Sequence, residues 1–315
     1  NWNPIGNRYA LNDGTVKDTV DGADYRKAFK GTFDGQGHTI SGMFIDSNAE
    51  NYKGTLKAGK DTSSYAALFG CIDGATLKNF TVKGTVLGTD VAGVVGITGA
   101  TKCTVEQITS YVNLNGKVGT DGEGLVRGKV TGIVNCPKGK LVVSDCTNYG
   151  DLAVDGTDCA GGIIAYIGNE LSVEIKNCNN YGAILATSVE GNKGCSVGGI
   201  VGVDDSNTTY ENCNNYGEIT GSARVGAIAG ASKGSFNTCC NQGKIKTIGE
   251  SAGGIAGFIR SNGNAGNTLT NCKNSGSVTA ESTQNGQNAN AGGLVGYAHC
   301  NTNEVTVTFT NCENT

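Results

Sequence analysis

"ENCNNYGEITG", Glu211 to Gly221, sets one cysteine among asparagines and closes on a glycine. The phrase returns as "SDCTNYGDLAV" (144–154), "KNCNNYGAILA" (176–186) and "TNCKNSGSVTA" (270–280), and again as "TNCENT" at the chain end. With Cys213 as reference, the chain aligns on itself at Phe80, Ile108, Cys146, Cys178, Cys239, Cys272 and Cys312. A position that accepts Phe, Ile or Cys is an inward apolar position, because a free thiol packs as a small hydrophobe. Six residues on lies a second apolar column: Val86, Leu114, Leu152, Ile184, Ile219, Ile245 and Val278. A third precedes the cysteine at Leu68, Val94, Ile133, Ile163, Ile200, Ile228, Ile255 and Leu294.

Three short strands per repeat, each with one inward column, predict an all-β, right-handed parallel β-helix of three-strand coils in about eight or nine turns. Coils stacked at the ordinary strand spacing of about 4.8 Å would form a rod on the order of 40 Å long. Residues 1–50 are expected to form an N-terminal cap and first coil, and residues 51–315 the repeats, with the protein continuing past Thr315. The leucine-rich repeat competes, but its Leu-x-x-Leu-x-Leu spacing is missing. The asparagine two places after the cysteine (Asn148, Asn180, Asn215, Asn241, Asn274, Asn314) is expected at a corner. There its tolerance of left-handed angles helps the turn and its amide can stack into a ladder. The following glycine is expected to supply turn freedom.

Composition agrees with an all-β chain. The 315 residues include 51 Gly and 2 Pro, and no sustained helical period interrupts the strand-like pattern. No apolar run is long enough for a membrane-spanning helix. A net charge of -4 without a basic stripe excludes nucleic acid as the expected partner.

The stretch "NWNPIGN" (1–7) followed by "FKGTFDGQGHTISGMFI" (29–45) resembles the opening of bacterial surface β-helix proteins of the GLUG-motif group. The phrases "AGVVG" (92–96), "GGIVG" (198–202), "GGIAG" (253–257) and "GGLVG" (292–296) resemble that group's naming motif. The resemblance implies an extracellular or cell-surface structural or adhesive module, as in adhesin-like proteins and non-catalytic regions of IgA-specific metallopeptidases. It specifies architecture rather than activity, and the cysteine column departs from it.

Chemistry is sparse. Thirteen cysteines is an odd number, no CxxC occurs, and none has zinc spacing with histidine. Parallel, in-register cysteines also point the same way, which makes a disulfide torsion difficult. Cys71 and Cys136 share a further, mostly apolar column with Ile97, Tyr166, Val203, Phe258 and Tyr297. The two histidines, His38 and His299, form no HExxH, and no G-x-S-x-G marks a nucleophile. Glycoside hydrolysis needs two carboxylates flanking one bond. The adjacent pair Asp204-Asp205 in "GVDDSN" is the least weak candidate, with Arg224 and Arg260 as scattered cations, and an Asp-rich turn is the simpler reading. No catalytic residue, metal site or cofactor is therefore expected, and the chain reads as non-enzymatic. The alternatives are a polysaccharide lyase or glycoside hydrolase on a β-helix, or an accessory domain of a larger secreted peptidase. One feature points outward: Tyr111, Tyr149, Tyr181 and Tyr216 stand three places after the cysteine column in successive repeats. Such a stack either packs ring on ring to shield the turn or is the ligand-binding surface, with glycans or host surface proteins as partners. The loops 183–196 and 276–291 are further contact candidates.

Overall fold

A computed structural model describes residues 2–6, 28–47, 55–56, 64–117, 119–121, 124–126, 128–156, 158–187, 194–261, 266–282, 289–300 and 306–315. Much of the expected cap (residues 1, 7–27 and 48–50) and the middles of the two candidate contact loops (188–193 and 283–288) lie outside them. Among the described residues every regular element is a strand, and no helix is long and apolar enough to cross a membrane.

The self-alignment is the one the backbone uses. Phe80 pairs with Ile108, and Asn148 with Ser110 and Asn180. Asn214 pairs with Asn179 and Cys240, and Lys273 with Cys240 and Glu313. The cysteines therefore form one row along the molecule. Successive repeats run in the same direction, so these pairings are parallel.

The architecture expected from the sequence, a right-handed parallel β-helix of three-strand coils, is corrected by the sheet topology. Twenty-eight strands belong to a single sheet, which curls through 320° and nearly closes as a parallel β-barrel. A separate sheet of nine strands runs alongside. In the first two long strands the expected corner does not end the element, whereas later repeats break there, as between Leu141–Ser144 and Thr147–Asn148. Phe69–Gly88 is one strand of 20 residues and Cys103–Gly116 one of 14, each passing through its left-handed residue without a break in the element. The three-column reading also missed an inward row. Leu77, Val105, Val143, Ile175, Tyr210, Phe236 and Leu269 are paired in sequence along the wall and at most 1 % exposed. Closed, the wall is a compact domain, so the readings that rested on an elongated, open solenoid fall with it. These are the structural or adhesive solenoid module, the lyase or hydrolase on a β-helix, and the peptidase accessory domain.

The interior is continuous. Ile133, Ile163, Ile200, Ile228 and Ile255 are fully buried, and Leu152, Ile184 and Ile245 are 1 % exposed. Tyr210 and Phe236 stack within it, with centroids 4.7 Å apart. At about 25 cal/mol per Å² of apolar surface, such rows dominate the stabilisation.

Candidate functional site

The motif corner is a built structural device. Asn148 donates through Nδ2 to Oδ1 of Asn180 at 2.9 Å, and Asn180 to Asn215 at 2.9 Å. Asn215 continues to Asn241 at 3.0 Å, and Asn241 to Asn274 at 2.7 Å. Each amide also donates to the carbonyl of the glycine two places on, as Asn215 does to Gly217 at 2.9 Å. The amides are buried, so the ladder satisfies groups that would otherwise cost free energy.

Two expectations about this corner change. The left-handed residue is not the ladder asparagine but the one before the cysteine: Asn79, Gln107, Asp145, Asn177, Asn212, Thr238, Asn271 and Asn311 have φ between 50° and 61°. The glycine is required by space rather than by φ. A Cβ on Gly217 would collide with the carbonyl oxygen of Gly182 in the preceding repeat.

All thirteen cysteines are free thiols. Cys146, Cys178, Cys213, Cys239 and Cys272 are buried, and each donates to the carbonyl two residues before it, as Cys213 does to Glu211 at 3.4 Å. A thiol therefore fits this slot as a small hydrophobe with a weak donor. Burial pushes the Cys178 and Cys239 thiols well up, which favours inert neutral sulfur.

The four tyrosines come together as an outer ribbon. Tyr111 and Tyr149 stack with centroids 4.8 Å apart, Tyr149 and Tyr181 at 4.7 Å, and Tyr181 and Tyr216 at 4.4 Å, all within 11° of parallel. Their exposures are 42, 41, 42 and 36 %. Lys83 covers the Tyr111 end, its Nζ 4.9 Å from the ring centroid. The inner faces are used on one another, so the ribbon offers ring edges and a row of phenols. Desolvation in the stack pushes the Tyr149 and Tyr181 phenols up, keeping them as donors.

Asp204 and Asp205 do not form a catalytic pair. Asp204 is 1 % exposed and accepts from the Ser206 amide at 2.9 Å, Thr208 Oγ1 at 3.0 Å, Tyr210 OH at 3.0 Å and Ser232 Oγ at 2.9 Å. Burial pushes its carboxyl up to about 6, against the pull of those donors. Asp205 lies on the outer side, where Tyr166 donates to it at 3.2 Å and Lys233 Nζ stands 4.0 Å away. Four saturating donors make Asp204 a structural hub rather than an acid facing a substrate.

The same region contains a cavity of about 320 Å³ that sequence reasoning missed. It gathers Asp205, Arg224 and Arg260, which look scattered in the sequence, with Tyr166, Lys233 and Phe258. The signal was a dip in side-chain size. The outer row runs Tyr166, Val203, Ala231, Phe258, Tyr297, so two small residues separate large ones. Elsewhere, His38 and His299 are exposed, and among the described residues no group of three His, Cys, Asp or Glu side chains is placed to hold a metal ion.

No protein-family model matches this sequence, no curated protein is significantly similar to it, and no solved structure matches it. The resemblance to the GLUG-motif group is therefore corrected on both counts, sequence family and wall architecture.

Proposed function

We propose that this protein binds carbohydrate through the ribbon of Tyr111, Tyr149, Tyr181 and Tyr216, acts outside a bacterial cell and is not an enzyme. The observation that carries the reading is the ribbon itself: four half-exposed rings stacked at 4.4–4.8 Å on a hydrogen-bonded wall. Tyrosine presents an amphipathic surface with few rotors to order on binding. Stacking removes most of the remaining freedom before any ligand arrives, which lowers the ordering cost. Phenols in a row suit a ligand that repeats hydroxyl groups along its length, as a polysaccharide does. Two residues after the ribbon, Asp151 accepts from the Ala183 amide at 2.8 Å, so the backbone beneath it is also pinned.

The test is glycan-array binding by the wild-type protein beside a Tyr181→Ala/Tyr216→Ala variant whose fold is confirmed by circular dichroism. Binding by the wild type and loss in the variant are expected. Absence of binding by both proteins, or equal binding by both, would leave the tyrosines as packing on the outside of the wall.

A further inference from the structure

We propose that the notch between Tyr166 and Phe258 is a second, separate binding site, for a hydroxylated ring carboxylate such as a single uronic acid unit, with Arg260 taking the carboxylate. The notch exists because Val203 and Ala231 stand between Tyr166 and Phe258 in the outer row. Three strand spacings separate the bounding residues, about 14 Å along the wall. The resulting space of about 320 Å³ falls at the small end of ligand cavities.

The charges around it are nearly all committed. Lys129 Nζ pairs with Asp158 at 3.7 Å, and Lys233 Nζ sits 4.0 Å from Asp205 and donates to Asn169 at 3.0 Å. Arg224 Nε donates to Glu250 at 2.9 Å while its guanidinium lies 4.5 Å from the Phe258 centroid. Arg260 differs. Its guanidinium is 5.7 Å from the same centroid, and among the described residues no carboxylate stands within ion-pair distance of it. A planar donor fork beside an aromatic ring, with no acid paired to it among the described residues, matches the geometry of a carboxylate ligand.

The rest of the lining selects the body of the ligand. Ser196 and Asp205 are polar groups at hand for hydroxyls, and Tyr166 holds its proton because burial and the Asp205 carboxylate push its phenol to about 12. A neutral sugar could accept from Arg260 but would bring no charge to pair with it. A bare small carboxylate would leave most of the space to water. A ring carrying both hydroxyls and one carboxylate answers both requirements.

The experiment is isothermal titration calorimetry of the full chain with D-glucuronate, D-glucose and acetate. Glucuronate should bind, with glucose and acetate at least tenfold weaker. Arg260→Gln should weaken glucuronate at least tenfold. Ala231→Phe should abolish binding by filling the notch with a residue that the same row already carries at Phe258, so the fold is kept. Tyr181→Ala/Tyr216→Ala should leave glucuronate binding unchanged, which separates this site from the ribbon. Wild-type protein that fails to bind glucuronate would overturn the proposal. So would glucose or acetate binding as tightly as glucuronate, or undiminished binding in folded Ala231→Phe or Arg260→Gln.

Discussion

Two rows of the same wall can be set side by side. The row from Ile108 to Cys312 and the row from Cys71 to Tyr297 are both stacked by parallel pairing of successive repeats. From Cys146 onward the first repeats its chemistry: thiol after thiol, each followed by an asparagine in a hydrogen-bonded ladder. The second varies through Cys, Ile, Cys, Tyr, Val, Ala, Phe and Tyr. The first row lies in the main core, whereas the second packs in a separate small cluster at Cys71, Ile97 and Cys136 and becomes more open from Tyr166 onward, so its neighbours constrain it less uniformly. Repetition therefore marks what the wall needs, and departure from it marks where a cavity can form.

The largest effect should come from charge in the repeating row. Cys213 is fully buried between Cys178 and Cys239 in that row. Cys213→Asp should cost more than about 5 kcal/mol or abolish folding, since nothing there pairs a carboxylate. Cys213→Val nearly conserves volume and should cost less than about 1.5 kcal/mol. Urea unfolding of both variants checks the contrast, and an Asp variant as stable as wild type would mean that the row does not face inward.

Next comes the ladder. Asn215→Ala removes donors and acceptors from Asn180, Asn241 and the Gly217 carbonyl together. Each buried group left unpaired costs about 1–3 kcal/mol, so a total of about 4 kcal/mol is expected. Tyr216→Ala, one residue away but on the outside, should cost far less. Equal losses would show that the ladder carries no more of the fold than the ribbon does.

How much of this was legible in the sequence follows from the same comparison. Three of the inward rows and the asparagine ladder could be read because each residue recurs at a fixed offset in similar surroundings, while the row from Leu77 to Leu269, three places before the cysteine, was passed over although it recurs as regularly. The closure of the wall could not. It depends on whether Asn79 and Gln107 end a strand or merely bend it, and in Phe69–Gly88 and Cys103–Gly116 the pairing skips these two residues and resumes in register at Phe80 and Ile108. The tyrosine ribbon was legible as a column, and the stacking of its rings on one another was one of the two readings the sequence offered. The notch was not, because Arg224 comes from the nine-stranded sheet and Arg260 from the large one, and only packing brings both to Phe258.

The floor of the varying region supplies a pH test. Burial raises the folded pKa of Asp204 to about 6, above its ordinary value of 3.8. A raised carboxyl contributes stability that is fully present below pH 3.8 and is lost as pH rises through about 6. A shift of about two units corresponds to about 3 kcal/mol. Asp205, Lys233 and Tyr210 surround the group, so the comparison is made against Asp204→Asn rather than read from the wild type alone. Unfolding free energies at pH 4, 5, 6 and 7 should fall more steeply for wild type than for Asp204→Asn. Parallel curves would show that this carboxyl does not titrate in the window.

The smallest effect returns to the repeating corner, at the one place where it departs from its own rule. Seven residues of the left-handed row are Asn, Gln or Asp, and the eighth is Thr238, with φ 55°. A β-branched side chain is strained there, whereas asparagine adopts the conformation readily. Along the same row Asn212 donates to Asn177 at 3.0 Å, and Asn177 to Asp145 at 3.0 Å. Thr238→Asn should therefore relieve strain and extend that outer ladder by one rung, stabilising the protein by about 1 kcal/mol. Thr238→Gly relieves the strain without adding the rung and raises the entropy of the unfolded chain, so it should fall below the Asn variant. Thermal unfolding of the three proteins orders them. If the Asn variant is no more stable than wild type, the contact of Thr238 Oγ1 with Asn237 Oδ1, at 3.2 Å, already offsets the strain, and the row tolerates more than its repetition implies.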